Sequence, residues 1–159
     1  MGLSTVLCQP RMWQKLERIE KRIQGIFFNN WRLISRNYTQ KITTQSPLVS
    51  IKKNETSKMT IQAKNTSRHV WGCDSSADYF VQLAIRWLDQ NGIWFFGEGI
   101  RTPLPKNVKP GETIELGANI QAPDKSGDFV LRLTMVREGV AWFDEMGAST
   151  LEIPVNVAD

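Results

Sequence analysis

The spacing of apolar residues changes once along this chain, near Leu48. Upstream, Met12, Leu16, Ile19, Ile23 and Ile26 recur at intervals of four, three, four and three, the spacing of one helical face. Charged residues such as Lys15, Glu17, Arg18, Lys21 and Arg22 fill the remaining positions, and Pro10 suits a first helical position. The pattern predicts an amphipathic helix over residues 10–36, weakened at Gly25. Residues 35–47 are polar and aperiodic, which reads as a linker.

Downstream the period becomes two. Met59, Ile61 and Ala63 alternate with polar residues, as do Val81, Leu83, Ile85 and Trp87. The same holds for Ile114–Ile120, for Phe129–Met135 and for Leu151–Val157. Each run buries one face and wets the other, as antiparallel strands do. Turn signals separate them at Asn65-Thr66-Ser67, Gln90-Asn91-Gly92, Lys109-Pro110-Gly111 and Pro123–Gly127. With strands near 48–52 and 93–97, the count reaches seven, with a Trp on the third. The expected fold is mainly β, an immunoglobulin-like antiparallel β-sandwich over residues 47–159, preceded by a helix and linker over residues 1–46.

Charge separates the same two parts. Residues 1–45 hold eight basic residues against Glu17 and Glu20, or +6, while the remaining twelve basic and fourteen acidic residues give −2. The basic character thus belongs to the leader, and nucleic-acid binding by the body is not expected. No apolar stretch is long enough to span a membrane, and the N-terminus lacks the pattern of a secretory signal. Cys8 and Cys73 do not sit where an inter-sheet disulfide would, so both read as free thiols of a cytoplasmic protein. Without export, the triplets at Asn37, Asn54 and Asn65 are not glycan acceptors.

Several short motifs lie on this frame: Lys64-Asn65-Thr66-Ser67 before Trp71, Ile85-Arg86-Trp87-Leu88-Asp89, Arg101–Pro105, Val108–Glu112, Ala122-Pro123 and Glu138–Phe143. Together they resemble bacterial immunoglobulin-like domains found beside or attached to glycosyltransferases and methyltransferases of surface-polysaccharide pathways. A more distant similarity is to the four-tryptophan domain of autophagy receptors, through Trp71, Trp87 and Trp142. The resemblance implies the fold and an accessory role in glycan assembly; it covers about 100 residues and not the leader.

Candidate catalytic chemistry is scarce. His69 is the one histidine and sits in a loop beside Trp71, where packing explains it better than a triad does. One His and two distant Cys give no zinc site, and Asp74 and Asp78 lack the alternating donors of a calcium loop. Asp144-Glu145 reads as a surface pair, and Gly97-Glu98-Gly99 lacks the helix and Lys of a phosphate loop. No catalytic residue, metal or cofactor is expected.

The aromatic residues are more informative. Trp87 is in phase with the core, and Trp71 and Trp142 read as plugs at the ends of the sandwich. Ile93-Trp94-Phe95-Phe96 is apolar on both faces; with Ile93 and Phe95 inward, Trp94 and Phe96 point outward. That pair is either covered by the leader or forms a ligand surface, where rings stack on a sugar or protein and Glu98 and Arg101 fix orientation. The leader itself has three readings. It docks on its own sandwich, pairs with a partner as a short coiled coil, or lies on the inner face of an anionic membrane through Trp13, Phe27, Phe28 and Trp31. The expected partners are a saccharide or a partner protein, with no nucleic acid.

Overall fold

The period-two pattern finds its partners in two stacked sheets. In this computed structural model residues 33–96 and 100–159 are described, apart from the side chains of Phe95 and Phe96. Ser35–Asp159 form one compact unit, and of the other, Met1–Ile34, only residues 33 and 34 are described. The helix expected over 10–36 therefore lies almost wholly outside the described residues, as do Trp13, Phe27, Phe28 and Trp31; residues 33–35 are helical. No helix among the described residues is long and apolar enough to cross a membrane.

Ten strands are described: β1 (Gln40–Thr43), β2 (Ser50–Lys52), β3 (Thr56–Asn65), β4 (Val81–Leu88), β5 (Trp94–Phe96), β6 (Arg101–Pro103), β7 (Thr113–Gln121), β8 (Gly127–Arg137), β9 (Ala141–Trp142) and β10 (Leu151–Ala158). The smaller sheet has the order β1-β3-β7, and the larger β2-β10-β8-β4-β5, with β6 also on β4 and β9 on β8. The pairs within each sheet are antiparallel except β2 with β10. β3 and β7 in one sheet, β4-β8-β10 in the other and a core Trp on β4 make this an immunoglobulin-like sandwich.

The core lies between the sheets. Ile61, Ala63, Ile114, Leu116 and Ile120 face Leu83, Ile85, Leu131, Leu133 and Val155, all buried. Trp87 is fully enclosed, edge-on to Phe129 with 6.3 Å between centroids, and its Nε1 donates to the Gln121 carbonyl at 2.9 Å. That bond ties the larger sheet to the smaller and satisfies the indole's only polar atom. A second aromatic group closes one end: Trp71 stands edge-on to Phe143, and Phe143 to Tyr38.

Three features differ from expectation. Gln40–Thr43, in the segment read as linker, is strand β1, paired from Gln40↔Asn65 to Thr43↔Gln62. Its inward side chains are Gln40 and Ile42, continuing from buried Tyr38; the polar middle residue hid the alternation. Gln40 earns its place by bridging the sheets. Its Nε2 donates to Thr134 Oγ1 (3.0 Å) and the Ser149 carbonyl (2.8 Å), and its Oε1 accepts from the Met135 amide (2.7 Å). The amide thus completes the edge of β8 beyond the point where β10 begins. β6 and β9 were also not foreseen, being too short to show a period.

The third difference concerns Trp71 and Trp142, expected to plug the ends. Trp71 does so and is fully buried, whereas Trp142 lies on the outside of the larger sheet. It pairs with Val136, an outward position of β8, so its ring falls on the outer face.

Candidate functional site

That outer face departs most from plain alternation. Ala84, Leu88, Thr134 and Val136 occupy outward positions of β4 and β8, yet all are buried. A charged and aromatic layer lies there. Arg86, Arg132 and Glu152 form one row, being direct partners across β4, β8 and β10. Arg101, beside Ala84 on β6, starts the adjacent row.

Two arginines directly opposite each other repel, and three carboxylates answer them. Asp144 Oδ2 lies 3.3 Å from Arg86 Nη1 and 3.7 Å from Arg132 Nη1. Glu145 reaches Arg86 Nη2 at 2.8 Å, and Glu152 reaches Arg132 Nη2 at 2.7 Å. Arg86 also stacks 3.5 Å from the centroid of the Trp142 ring, with the Arg101 guanidinium 4.7 Å from it. Glu138 holds Arg101 Nε at 2.7 Å. Reading Asp144-Glu145 as a surface pair was wrong for Asp144. Its side chain is 9 % exposed, because the turn after β9 folds it back between the two guanidiniums. Its Oδ1 is buried with no hydrogen-bond partner. A shallow cleft of about 340 Å³ opens here, lined by Arg86, Arg132, Asp144, Glu145, Ala148 and Thr150.

The expected ligand residues distribute as follows. Trp94 is 48 % exposed and pairs with Leu88, one outward position along β4 from Arg86. Trp94 and the charged layer therefore belong to the same face. A bulge accompanies this pairing, since Leu88 and Trp87 meet Trp94 and Phe96 with Phe95 extra. Ile93, expected to point inward, is 63 % exposed: it belongs to the turn and not to the strand, so the alternation begins one residue later. Asp89 shapes that turn, its Oδ1 accepting from the amides of Asn91 (2.9 Å) and Ile93 (2.8 Å). The Ile93 N–H holds the Asp89 carboxyl below the usual carboxylate range. Glu98 lies outside the described residues, as does the side chain of Phe96. Arg101 is gathered with Glu138, Trp142 and Arg86. The sequence reading missed Arg86, Arg132 and Trp142 as members of this face. Their signal was present in β4, where Arg86 sits amid a run buried on both faces.

His69 is stacked on Tyr79 at 4.9 Å, and its carbonyl accepts from Asn65 Nδ2. Asn65 is fully buried, and it organises the loop by also donating to the Val108 carbonyl and accepting from Ser67. Tyr79 Oη donates to the Asn37 carbonyl, and burial pushes its hydroxyl above the ordinary phenol range. Cys73 is a free thiol, Cys8 lies outside the described residues, and Asp74 accepts from the Ser76 amide.

No family model matches this chain, and no curated protein does. Among solved structures, it is similar to the CARDB domain of PF1109 from Pyrococcus furiosus, at 14 % identity and a TM-score of 0.43 over 76 % of this chain and 93 % of that one. A PapD-like domain of human CEP192 matches at 14 % identity and 0.35, over 78 % and 87 %. The sporulation control protein Spo0M of Bacillus subtilis matches at 8 % and 0.43, over 76 % and 49 %. Likenesses this faint say nothing about function. The fold rests on the strand order above, and the likeness to surface-polysaccharide accessory domains and to the four-tryptophan domain rests on short motifs alone.

Proposed function

We propose that the chain is a binding module without catalytic activity, which presents the outer face of its larger sheet to a saccharide. The exposure of Trp94 carries this reading: a half-bare indole beside a bulge, one position from a layer of guanidinium and carboxylate groups. An indole face packs on the C–H surface of a sugar ring, and fixed charged groups nearby bind hydroxyls and select orientation. Glu145, whose side chain is exposed at the rim of the cleft, is an acceptor suited to a ligand hydroxyl entering it. The basic leader, residues 1–46, would tether the module to a partner protein or an anionic membrane through Trp13, Phe27, Phe28 and Trp31.

An array of microbial surface glycans, probed with the full chain and with Trp94→Ala, tests the saccharide reading. Retention by the wild type and loss in the variant are expected. Equal signals from both would overturn it.

A second reading, a scaffold for a separately encoded enzyme, is favoured by Ile93. Two adjacent exposed apolar side chains, Ile93 and Trp94, form a patch suited to a protein as well as to a sugar. Under that reading deletion of residues 1–45 or substitution of Ile93 releases a co-purifying protein, and the array stays silent.

A further inference from the structure

The strand at one edge of the smaller sheet is built differently from every other described edge. β1 has four residues and carries Lys41; β2 has three and carries Lys52. β5 has three and a bulge, and β6 has three and ends in Pro103. Shortness, Lys, Pro and bulges are how sheet edges avoid pairing with other chains. β7, Thr-Ile-Glu-Leu-Gly-Ala-Asn-Ile-Gln, has nine residues, no Lys, Pro or bulge, and a single exposed charge, Glu115.

Its free side can be specified by register. The Ala122 amide donates to the Glu55 carbonyl, and the Asn65 amide to the Glu112 carbonyl, in line with the β3–β7 pairing. Even-numbered residues of β7 thus turn their N–H and C=O groups to β3, and odd-numbered ones turn theirs away. Thr113, Glu115, Gly117, Asn119 and Gln121 therefore offer a row of donors and acceptors on the other edge. Their side chains are all exposed. Among the described residues no strand pairs there; β6 approaches β7 from the other layer without bonding to it.

We propose that two copies of this chain join edge to edge through β7, antiparallel, about a two-fold axis at Gly117. The sequence of β7 fits its own copy in that register. Gly117 meets Gly117, so no side chain crowds the axis. Glu115, the strand's only charge, meets Asn119 of the second copy, and Thr113 meets Gln121. All five outward residues pair, for about ten backbone hydrogen bonds, and two three-stranded sheets merge into one of six. A slip of four residues, which moves the axis to residue 115, would set Glu115 against Glu115 and lose about four bonds; a slip of two sets Glu115 against Gly117 and loses about two, so the full-overlap register is preferred. Inner residues Ile114, Leu116, Ala118 and Ile120 already face the core, so the contact adds mainly backbone bonds. A reversible dimer in the micromolar range follows.

Sedimentation velocity of the full chain across that concentration range tests the proposal. The wild type is expected to shift from monomer to dimer. Asn119→Glu places like charges opposite each other twice in the dimer and weakens association about tenfold. Within the monomer residue 119 faces Lys58 on β3, so the variant keeps its fold. Adding Glu115→Lys to it converts both contacts to opposite charges and restores the dimer. Trp94→Ala leaves association unchanged, separating this contact from the ligand face. A wild type that stays monomeric throughout, leaving the edge to another protein's strand, would overturn the proposal. So would a dimer indifferent to Asn119→Glu, or one that the second substitution fails to restore.

Discussion

The two sheets solve the same problem in different ways. β3 and β7 of the smaller sheet alternate strictly from Met59 and Thr113, with one face in the core and one polar face in water. β4 and β8 of the larger sheet bury residues on both faces, and their outer layer is made of paired charges and an indole. The smaller sheet has an ordinary face and an unusual edge, while the larger has short, blunted edges and an unusual face. Recognition is accordingly proposed for a face in one sheet and for a backbone edge in the other.

The largest effect that would break this contrast comes from Asp144. Asp144→Ala leaves Arg86 and Arg132 opposed and half-buried, with only the exposed Glu145 and Glu152 to balance them. A loss of about 2–4 kcal/mol is expected in urea unfolding. Glu115→Ala, on the polar face of the smaller sheet, should change stability by less than about 0.5 kcal/mol in the same experiment. Comparable losses would show that the outer layer is no more structural than an ordinary wet face.

Next is the link between the sheets. Gln40→Ala removes three hydrogen bonds and strands the Met135 amide, for an expected loss of about 1–3 kcal/mol. Hydrogen exchange should quicken at Met135 more than at Leu131, which keeps its strand partners on both sides. A smaller loss of about 1 kcal/mol is expected for Trp142→Ala, from the stacked guanidinium of Arg86.

The gentlest test is Asp89→Ala, in the turn that carries Ile93 and Trp94. It should leave the melting temperature nearly unchanged and weaken ligand binding by a few-fold, read by titration. Acid should act in the same direction. The folded carboxyl lies below its unfolded value, so its contribution is present above that value and fades as pH falls through the lowered one.

The smaller sheet was the more legible in sequence, because strict alternation reports burial on one side only. β3 and β7 could be read from Met59-Ile61-Ala63 and Ile114–Ile120 without help. β1 escaped because an inward Gln imitates a polar linker, and its core position becomes sensible only beside the unfilled edge of β8. The core role of Trp87 was legible for the same reason as β3. The outer layer was not: Arg86, Arg132 and Asp144 are far apart in the chain, and only the β4–β8 register and the turn after β9 bring them together. Trp94 was legible as an outward aromatic, while the exposure of Ile93 depends on where the turn shaped by Asp89 ends.

The central claim, that the face of the larger sheet binds a saccharide through Trp94, is met most directly by one titration. Full-length wild type and Trp94→Ala, matched for melting temperature, are titrated calorimetrically with the glycan that the wild type retains most strongly on the array. The account predicts at least about tenfold weaker binding by the variant, as expected for loss of a stacking aromatic. Equal affinities, or a wild type that retains no glycan at all, would contradict it.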